Sequence, residues 1–399
     1  MSDQQTEITR LAAKGDGVAA SGAHFAGAVP GDSVRSDGVI QRGPHHIDPL
    51  CQHFGKCGGC QLQHCDDAVL SDFVTSRILT AARKQALEAG NVTKAYLSPS
   101  HSRRRATLHA VNGGGKPLIG FREGSSHKLI NLRECPVIAP ELFALVEPVR
   151  NLLAGRGGKY STDIALTLID QGVDCSFKNL TLEGLQQTEA LSDFARENGL
   201  ARVSIDQGYG SETVWEPDPA TVTLSGVRAS YPVGAFLQAT KDGEAALVAV
   251  GKEWLSEAGT IADLFSGLGT FAFALAGPAK VLAVEAAQDA HLACKSAANM
   301  SPKPVHSLHR DLFRNPLRAE ELSRFDAVLL DPPRAGARDQ IDQIAESSLS
   351  RVVYISCNPS SWARDGRRLA DAGFSLEEVR PVGQFRWSTH VELASLFTR

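Results

Sequence analysis

The chain has 399 residues, 43% of them hydrophobic, and a formal net charge of −4 at pH 7. This length exceeds one ordinary hydrophobic core, so two or three globular domains are expected. The first residues are polar and no run approaches the roughly 18 apolar residues of a membrane span, so we expect a cytoplasmic protein with no part in the membrane. The acidic balance excludes a surface coated with basic residues, yet one local basic patch would be enough to bind phosphates.

Residues 6–43 alternate short apolar runs with glycine-containing turns. This pattern predicts a small β-barrel, of the OB type that binds nucleic acid. The segment is short for an independent barrel, and the alternative is a β-rich arm packed on the next domain. Residues 66–90 instead carry apolar residues at helical spacing, which predicts an α-helix.

Three of the eight cysteines, Cys51, Cys57 and Cys60, fall within ten residues. In a chain without a secretory signal, this clustering predicts a metal or iron-sulfur site rather than disulfides. The glycines of the C-x5-C-G-G-C motif let the backbone turn so that several sulfurs point at one centre. Cys135, which precedes a proline, is the first candidate for a fourth ligand, and Cys65 is the second. Four thiolates suit zinc as well as a [4Fe-4S] cluster, so the spacing leaves both open.

Residues 101–133 form a basic stretch in an otherwise acidic chain. It contains one acid, Glu123, and seven basic residues: Arg103, Arg104, Arg105, Lys116, Arg122, Lys128 and Arg133. Such a concentration of positive charge is typical of phosphate binding and predicts contact with nucleic acid. The alternative is the solvated face of a β-hairpin whose turn lies at residues 112–115.

From residue 260 onward buried strands alternate with helices, which predicts an α/β domain with a parallel sheet. A strand at 260–264 runs into a turn containing Gly267 and Gly269, and a second strand at 280–285 ends in Glu285. A carboxylate at that position can accept hydrogen bonds from a ribose diol, while the glycines let a nucleoside approach the backbone. Because this turn offers only two glycines of the G-x-G-x-x-G pattern of dinucleotide-binding loops, it favours S-adenosylmethionine.

Two further acids follow the next two predicted strands. Asp311 ends a third strand and is expected near the adenine amine of the cofactor. A fourth strand, within residues 325–330, is followed by Asp331, two prolines and Arg334. Such a rigid turn can hold a planar base beside the methyl donor, at the sheet edge where open α/β folds bind ligands.

A fifth predicted strand, within residues 351–356, ends directly before Cys357. A buried free cysteine is commonly structural, so the strand end alone leaves open whether this thiol is inert. Because parallel strands share one carboxyl edge, Cys357 is expected to lie beside Asp331. That position favours a catalytic thiol, since a thiolate can add to C6 of a pyrimidine and make C5 nucleophilic enough to accept a methyl group.

These motifs resemble the RNA (uracil-5)-methyltransferase family, and within it the iron-sulfur enzymes that methylate uridines of bacterial 23S ribosomal RNA. The resemblance covers almost the whole chain, and its motifs are C-x5-C-G-G-C at 51–60, Phe236-x-Gln238, Asp331-Pro332-Pro333-Arg334, Ser356-Cys357-Asn358-Pro359 and His390-Val391-Glu392. The implied fold class is α/β, with a Rossmann-like S-adenosylmethionine-dependent methyltransferase domain at 226–399. A mixed α+β RNA-binding domain with an iron-sulfur site at 45–225 and a shortened TRAM-like, OB-like β-barrel at 1–44 would precede it.

The resemblance also implies a role for each candidate site residue. A [4Fe-4S] cluster would be held by Cys51, Cys57, Cys60 and Cys135, which decides between the cluster and zinc. S-adenosylmethionine would be contacted by Gln238, Phe265, Glu285, Asp311 and Asp331. Cys357 would be the nucleophile and Glu392 the general base, because a carboxylate must take the C5 proton before the thiol can leave. The alternative for Glu392 is a surface carboxylate on the last strand.

The expected reaction is methylation of uridine C5 in RNA, most of all in 23S ribosomal RNA, with Phe236 as a stacking partner for the flipped base. The alternatives are the same chemistry on the T-loop uridine of transfer RNA and an RNA-binding assembly factor without turnover. Departures from the family pattern bear on the substrate: Arg386 follows Phe385 where proline is usual, and Thr240 and Thr270 stand where asparagine is common. RNA is the expected partner of a monomeric protein.

Overall fold

The computed structural model describes residues 5–113, 116–124, 126–156 and 158–399. Along these residues lie a five-stranded sheet, a six-stranded sheet, a two-stranded hairpin and a nine-stranded sheet. None of the helices in these ranges has the length and apolar character needed to cross a membrane. Residues 1–4 of the predicted barrel and residues 114–115 of the predicted hairpin turn lie outside the described residues.

The N-terminal sheet is antiparallel, with the strand order β3-β2-β1-β4-β5. Its strands are β1 (Thr6–Leu11), β2 (Gly17–Ala19), β3 (His24–Phe25), β4 (Ser33–Val34) and β5 (Ile40–Gln41). Gly17 is needed in β2, because a Cβ there would lie 2.7 Å from the Ala28 carbonyl oxygen. The strands occupy the predicted β-rich segment, and their closure into a barrel stays a prediction.

Residues 42–66 form turns and lead into helix α1 (Asp67–Lys84). Asp66 caps this helix by accepting a hydrogen bond from the Val69 amide at 2.9 Å, an arrangement that stabilises the first turn. The predicted helix at 66–90 is therefore present and ends at residue 84. Two short strands follow, β6 (Asn91–Val92) and β7 (Tyr96–Leu97).

The central sheet has the strand order β13-β12-β11-β10-β8-β9. Its strands are β8 (Arg105–Asn112), β9 (Leu118–Gly120), β10 (Tyr160–Ile169), β11 (Gly172–Lys178), β12 (Arg202–Asp206) and β13 (Ser211–Trp215). The helices of this region are α2 (Pro140–Phe143), α3 (Val146–Ala154) and α4 (Gly184–Glu197), and they share one apolar core with the sheet. Strand β8 alternates buried residues such as Leu108 with more exposed ones such as Thr107, as expected for a sheet with one apolar face.

A hairpin of β14 (Thr221–Leu224) and β15 (Val227–Ser230) precedes the C-terminal sheet, whose order is β18-β17-β16-β19-β20-β22-β21-β6, with β7 also paired to β21. The remaining strands are β16 (Thr260–Leu264), β17 (Lys280–Glu285), β18 (Val305–His309), β19 (Ala327–Leu330), β20 (Arg351–Ser356), β21 (Ser375–Gly383) and β22 (Glu392–Thr398). The remaining helices are α5 (Lys241–Trp254), α6 (Thr270–Leu275), α7 (Gln288–Asn299), α8 (Ala319–Leu322), α9 (Arg338–Glu346) and α10 (Pro359–Asp371).

Strands β16 to β20 of this sheet pair in parallel, which confirms the predicted α/β class. The strand order reverses between β16 and β19, and ligands of open α/β sheets bind beyond the carboxyl ends of the strands at such a reversal. Strand β22 is antiparallel and lies between β20 and β21, with Leu393 opposite Ser356. The start of β22 therefore meets the end of β20 at the ligand-binding edge.

Part of the predicted central domain is attached to the C-terminal sheet. Strands β6 and β7 pair in parallel with β21, and the side chains of α1 share a core with those of α10. The amides of Gln61 and Leu62 both donate to the Trp387 carbonyl oxygen, at 2.8 and 2.9 Å. The domain boundaries stay predictions, and the contacts here connect the N-terminal segment to the C-terminal sheet.

Candidate active site

A cavity of about 1250 Å³ is lined by residues of the C-terminal sheet edge, of the central sheet and of the cysteine-rich loop. It brings together most of the residues singled out in the sequence: Cys51, Cys57, Cys60, Cys135, Gln238, Phe265, Glu285, Asp331, Cys357 and Glu392. Residues more than 300 positions apart in the chain thus face one space. Asp311 is not among the residues that line it.

The turn after β16 exposes its backbone to this cavity. Phe265 has φ +63°, a region that side-chain-bearing residues rarely adopt, and Gly267 and Gly269 also have positive φ. A Cβ on Gly267 would meet no atom within 4 Å, so the space above this residue is open to a ligand. The Phe265 ring lies 5.4 Å from the Phe313 ring between centroids, and the two rings form an apolar wall.

Two polar side chains of the same turn are buried without a well-formed hydrogen bond within the described residues. They are the carboxylate of Asp263, at the end of β16, and the hydroxyl of Ser266. Burial raises the pKa of Asp263 to about 8; the Ala272 amide opposes this shift and the Glu285 carboxylate adds to it. Ser266 lines the cavity, so a polar ligand or water there can complete its hydrogen bonding, whereas Asp263 lies behind the turn and near the Ala272 amide.

Glu285 connects the ends of the first two parallel strands. Its Oε2 accepts from the Gly267 amide at 2.8 Å and its Oε1 accepts from the Ala287 amide at 2.7 Å. Each carboxylate oxygen keeps a second lone pair, so both can still accept from the hydroxyls of a ribose. The position and orientation of Glu285 fit the sequence-based expectation of a ribose contact.

Asp311 has a different environment from the other predicted cofactor contacts. Its Oδ1 accepts from the amides of Phe313 and Arg314, at 3.0 and 3.3 Å, and thereby caps a turn. The neighbouring residues Arg310 and Leu312 line the cavity instead. The contact of Asp311 with adenine stays a prediction, without support from this geometry.

Asp331 follows β19, and its carboxylate accepts from Gln238 Nε2 at 3.0 Å. Removal from water and the nearby carboxylates of Glu392 and Asp263 raise the pKa of Asp331 well above its usual range, while the hydrogen bond from Gln238 opposes the shift. Two adjacent acids that cannot both be ionised without cost are typical of a functional site.

Helix α10 holds the turn that follows Asp331. Asn358 Nδ2 and Ser361 Oγ both donate to the carbonyl oxygen of Arg334, at 2.8 and 3.0 Å. Because Asn358, the residue after Cys357, caps this helix, the same residues connect the thiol to the Asp331 turn. The two strand ends therefore have a fixed relative position.

Asp365 strengthens this connection from within the protein. It is fully buried, and its Oδ2 accepts from the Ala337 amide and from the Tyr354 hydroxyl, both at 2.8 Å. Gly336 packs so closely against it that a Cβ would clash with this oxygen. The buried carboxylate thus ties α10, β20 and the 334–337 turn together.

Cys357 is partly buried at the end of β20. Burial raises the pKa of its thiol to about 11; Glu392 and Asp331 add to the shift, and the Arg334 guanidinium opposes it. The thiol is therefore protonated at neutral pH in this state. Arg334 is the neighbouring cation that favours the thiolate, the form that reacts with an electrophilic carbon.

Glu392, the first residue of β22, is 3% exposed. Burial raises the pKa of its carboxyl to about 7, and a hydrogen bond from Gln384 opposes the shift. A carboxyl that titrates near neutrality can accept a proton at physiological pH. The alternative reading of Glu392 as a surface carboxylate is wrong, because the side chain is buried in the cavity wall.

The four predicted cluster cysteines line the same cavity and none is in a disulfide. Burial raises the pKa of Cys60 to about 12; Gln63 opposes the shift, and the thiols of Cys135, Cys57 and Cys51 add to it. These electrostatic effects indicate that the four thiols are neighbours. The donor set fits a thiolate-ligated cluster in its chemistry, although within the described ranges no three His, Cys, Asp or Glu side chains converge as a metal-ion site.

Cys65, the second candidate for the fourth ligand, is separate from this group. It is fully buried and does not line the cavity. Burial raises its pKa to about 12, and the charges that add to the shift belong to Asp66 and Asp32 rather than to other cysteines. The structure therefore brings Cys135, and not Cys65, to the other three thiols.

The basic stretch at 101–133 is partly internal. Arg104 is buried and forms an ion pair with Glu244 at 2.5 Å, so it is not available to phosphate. Arg105 lines the cavity with its guanidinium 4.9 Å from the centroid of the Phe236 ring. Phe236 itself is 63% exposed, so a cation-backed aromatic ring is offered at this surface.

Two residues that hold the site together were missed in the sequence, Gln384 and Asp365. Gln384 directly precedes Phe385 of the last motif, but nothing local marks it as different from a surface glutamine. Asp365 offers a signal, since Asn358, Ser361 and Asp365 recur at a helical spacing and so lie on one face of α10.

A family model described as tRNA (Uracil-5-)-methyltransferase matches residues 234–399. The chain is 48% identical over 394 residues to a protein of Zymomonas mobilis named "Uncharacterized RNA methyltransferase ZMO1179", with 98% of this chain and 99% of that protein covered. It is 30% identical over 371 residues to the 23S rRNA (uracil(1939)-C(5))-methyltransferase RlmD of Pectobacterium carotovorum, with 90% of this chain and 82% of that protein covered.

The fold also matches a solved structure over nearly its full length. The tRNA (uracil-54, C5)-methyltransferase of Pyrococcus abyssi, in complex with S-adenosyl-L-homocysteine, has a TM-score of 0.75 and 21% identity and covers 99% of this chain and 100% of its own. This likeness shows the fold alone, whereas the relatives similar in sequence show the family to which the chain belongs. The resemblance and the prediction of an enzyme are both confirmed: the chain belongs to the RNA (uracil-5)-methyltransferase family and is an enzyme of that class.

Proposed function

We propose that the enzyme transfers a methyl group from S-adenosylmethionine to C5 of a uridine in 23S ribosomal RNA. The observation that carries this proposal is that Cys357 and Glu392 line one cavity where the end of β20 meets the start of β22, with the Glu392 carboxylate close enough to act on the thiol. A nucleophile and a carboxylate base at one site are what C5 methylation of uracil requires. The likeness to the 23S rRNA enzyme of Pectobacterium carotovorum supports the choice of RNA.

The proposed reaction begins at Cys357. The thiol first gives up its proton to solvent, and the thiolate adds to C6 of the uracil. This step forms an S–C6 bond and moves the electron pair of the C5–C6 double bond into an enolate. C5 would then bond to the methyl group of S-adenosylmethionine as the S–CH3 bond breaks, and its electron pair would stay on the sulfur of the S-adenosylhomocysteine that leaves. Glu392 takes the remaining proton from C5, and the electron pair of that C–H bond restores the double bond and expels Cys357 as a thiolate.

Binding of the methyl donor is assigned to the turn after β16 and its neighbours. Glu285 would accept from the ribose hydroxyls, Phe265 would face the apolar part of the cofactor, and Gln238 and Asp331 would lie near its amino-acid end. The open space above Gly267 and the unpartnered Ser266 hydroxyl in the cavity wall support this assignment. Asp311 is kept as a proposed contact of S-adenosylmethionine only because its position in the sequence matches the family pattern.

The target uridine must leave its stack to reach a thiol inside a cavity. Phe236 would then stack on the flipped base or on its neighbour, and the Arg105 guanidinium behind the ring would favour this contact with RNA. Arg103 and Arg122 line the same cavity and would add positive charge for the backbone phosphates. We propose that the enzyme acts on RNA as a cytoplasmic monomer.

A [4Fe-4S] cluster is proposed on Cys51, Cys57, Cys60 and Cys135. The loop that carries three of these cysteines is held against the 118–124 segment, since the Gly58 amide donates to the Arg122 carbonyl oxygen at 2.9 Å. The cluster would brace the cysteine-rich loop further, by joining its three thiolates to that of Cys135, which lies beyond the 118–124 segment in the chain. Anaerobically purified protein should be brown with a broad absorption near about 400 nm, and a colourless protein that contains zinc would overturn this assignment.

The reaction is tested by incubating the cluster-loaded enzyme with a 23S rRNA transcript and methyl-labelled S-adenosylmethionine. We expect label in 5-methyluridine, and a transcript with 5-fluorouridine at the target should form an adduct with Cys357 that survives denaturation, because fluorine cannot leave as a proton does. Absence of label in all RNA tested, with folded protein, would contradict the proposed function.

Methylation of transfer RNA is the second candidate. It is supported by the description of the matching family model and by the fold likeness to the Pyrococcus abyssi enzyme. Parallel incubations with 23S and transfer RNA transcripts separate the two, because the preferred substrate should be labelled at a far lower enzyme concentration.

A further inference from the structure

The side chain of Gln384 lies between Glu392, the proposed general base, and Gln238, a proposed contact of the methyl donor. It is 2% exposed and lines the cavity. Its Nε2 donates to the Glu392 carboxylate and, at 2.9 Å, to Gln238 Oε1. Gln238 in turn donates to Asp331 at 3.0 Å, so a chain of two amides joins the two carboxylates of the site.

The orientation of this amide chain is set by the backbone. The Ala239 amide donates to Gln384 Oε1 at 3.1 Å, which directs the NH2 group of Gln384 toward Glu392 and Gln238. Gln238 must then accept with its oxygen, which leaves its own NH2 group for Asp331. Each end of the chain therefore presents an N–H donor to a carboxylate.

The first turn of α5 packs tightly against the side chain of Gln384 and restricts its position. Gly243 at the start of α5 lacks a side chain, and a Cβ there would lie 2.8 Å from the Gln384 Cβ. The first turn of α5 thus closes directly over this side chain. Such close packing holds the amide in one position.

We propose that Gln384 is a positioning residue, which aims the Glu392 carboxylate at the C5 proton and favours its ionised form. This inference rests on the proposed function of Glu392 as the general base. A hydrogen bond to the ionised form of a buried acid is a direct way to keep that acid ready to accept a proton. Gln384 would touch neither the uracil nor the methyl donor.

The charged groups around Glu392 make this donor important. The groups that line this part of the cavity are Asp331 after β19, Arg334 on the turn after Asp331, Cys357 after β20 and His390 before β22. Asp263 on β16 does not line the cavity, but its carboxylate acts on Asp331 from behind. Asp331 would repel a second negative charge, and the Arg334 guanidinium acts on the thiol. Burial also disfavours the ionised form of Glu392, whereas the hydrogen bond from Gln384 favours that form.

The test uses the full-length enzyme and a 23S rRNA transcript that carries tritium at uridine C5. Release of tritium reports removal of the C5 proton, and methyl label in a denaturation-resistant protein–RNA complex reports the preceding steps. For Gln384→Met, we expect tritium release to slow about tenfold or more while adduct formation changes little, because a misaimed base loses part of its catalytic effect. The midpoint of the acidic limb of tritium release should move up by about one pH unit.

Gln384→Glu keeps the shape of the side chain, replaces the donor by an acid, and should raise the same midpoint further. Gln340→Met is the matched control, since Gln340 is equally buried but bonds to the backbone of Leu317 outside the cavity. Wild-type release rates and midpoints in both Gln384 variants, or the same changes in Gln340→Met, would overturn the inference. Glu392→Gln tests the general base separately from Gln384. Without a base this variant should accumulate the covalent protein–RNA adduct, and failure to accumulate it would contradict the assignment of Glu392 as the base.

Discussion

The two parts of the cavity surface are built in different ways. Around Cys357, functional side chains follow strand ends. The buried hydrogen bonds of Asp365 with Ala337 and Tyr354 hold them, together with the bond from Asn358 to the Arg334 carbonyl oxygen. Around the cysteines, the chain is a turn-rich loop whose thiols are half-buried, and few regular elements support it. The comparison indicates that the catalytic edge is organised by the protein alone, whereas the cysteine-rich loop would depend on a bound centre for its rigidity.

The largest effect is expected at the catalytic edge. Cys357→Ala should abolish methylation and the 5-fluorouridine adduct, a loss of at least about 10⁴-fold, because the nucleophile is removed. Folding should be unaffected, since the thiol is only partly buried. The measurement is methyl transfer to 23S rRNA with electrophoresis of the denatured adduct.

Cys175→Ala is the control for this change, because Cys175 is buried in the core of the central sheet and away from the cavity. Retention of the adduct by Cys357→Ala would contradict the nucleophile assignment.

The second effect concerns the cysteine-rich loop. Cys57→Ser should lose most of the iron and the absorption near about 400 nm, since a hydroxyl is a poor cluster ligand. Hydrogen exchange should then increase in the loop 51–60 while the turn after β16 still binds S-adenosylmethionine. Equal loss of protection at the catalytic edge would show that the two regions are not independent, and an unchanged iron content would refute the ligand assignment.

A smaller effect is expected for Asp365→Asn. The change weakens the hydrogen bonds from Ala337 and Tyr354, so the free energy of unfolding should fall by about 2 kcal/mol. Methylation should slow as well, because the Asp331 turn loses its fixed distance from Cys357. Urea denaturation and turnover of the same preparation measure both.

Exposed Asp371→Asn on the same helix is the comparison for Asp365→Asn. Similar stability losses in the two variants would mean that the buried carboxylate is not what holds the catalytic edge.

A further test, away from the reacting groups, is a pH dependence of stability. The pKa of Asp263 is raised to about 8 in the folded protein, so between its ordinary value and 8 the folded state binds more protons than the unfolded chain. Stability from this group is therefore present at low pH and is lost as the pH rises toward 8, at up to about 1.4 kcal/mol per pH unit. Asp263→Asn should flatten this loss in denaturation curves recorded from pH 5 to pH 8. An unchanged slope would mean that Asp263 is ionised or solvated in the folded protein.

The catalytic edge was largely predictable from the sequence. Strand-like runs that stop at Glu285, Asp331 and Cys357 imply one shared edge, because parallel strands align their carboxyl ends. The apolar residues after Glu392 likewise indicated a strand. Motif spacing could not reveal Gln384, whose partners Gln238 and Ala239 lie about 145 positions away and meet it only after folding.

The basic stretch shows a different limit. A run of arginines in a sequence does not indicate which side chain turns inward. Arg104 does so and forms a buried ion pair with Glu244, so it is not available to bind phosphate. Asp311 likewise has the right spacing for a cofactor contact but caps a turn instead. Residue type and spacing therefore predict the position of a residue on its strand or turn, whereas tertiary contacts determine the orientation of its side chain.

The position of β22 has a consequence for how the enzyme is made. This strand is the last in the described chain, yet it lies between β20 and β21 rather than at the sheet edge. During synthesis β21 therefore cannot join the sheet until β22 has emerged, and β6 and β7 must wait in turn for β21. Completion of the sheet and delivery of Glu392 are one late folding event with large sequence separation, so a nascent chain would hold the thiol before it holds the base that releases RNA from it.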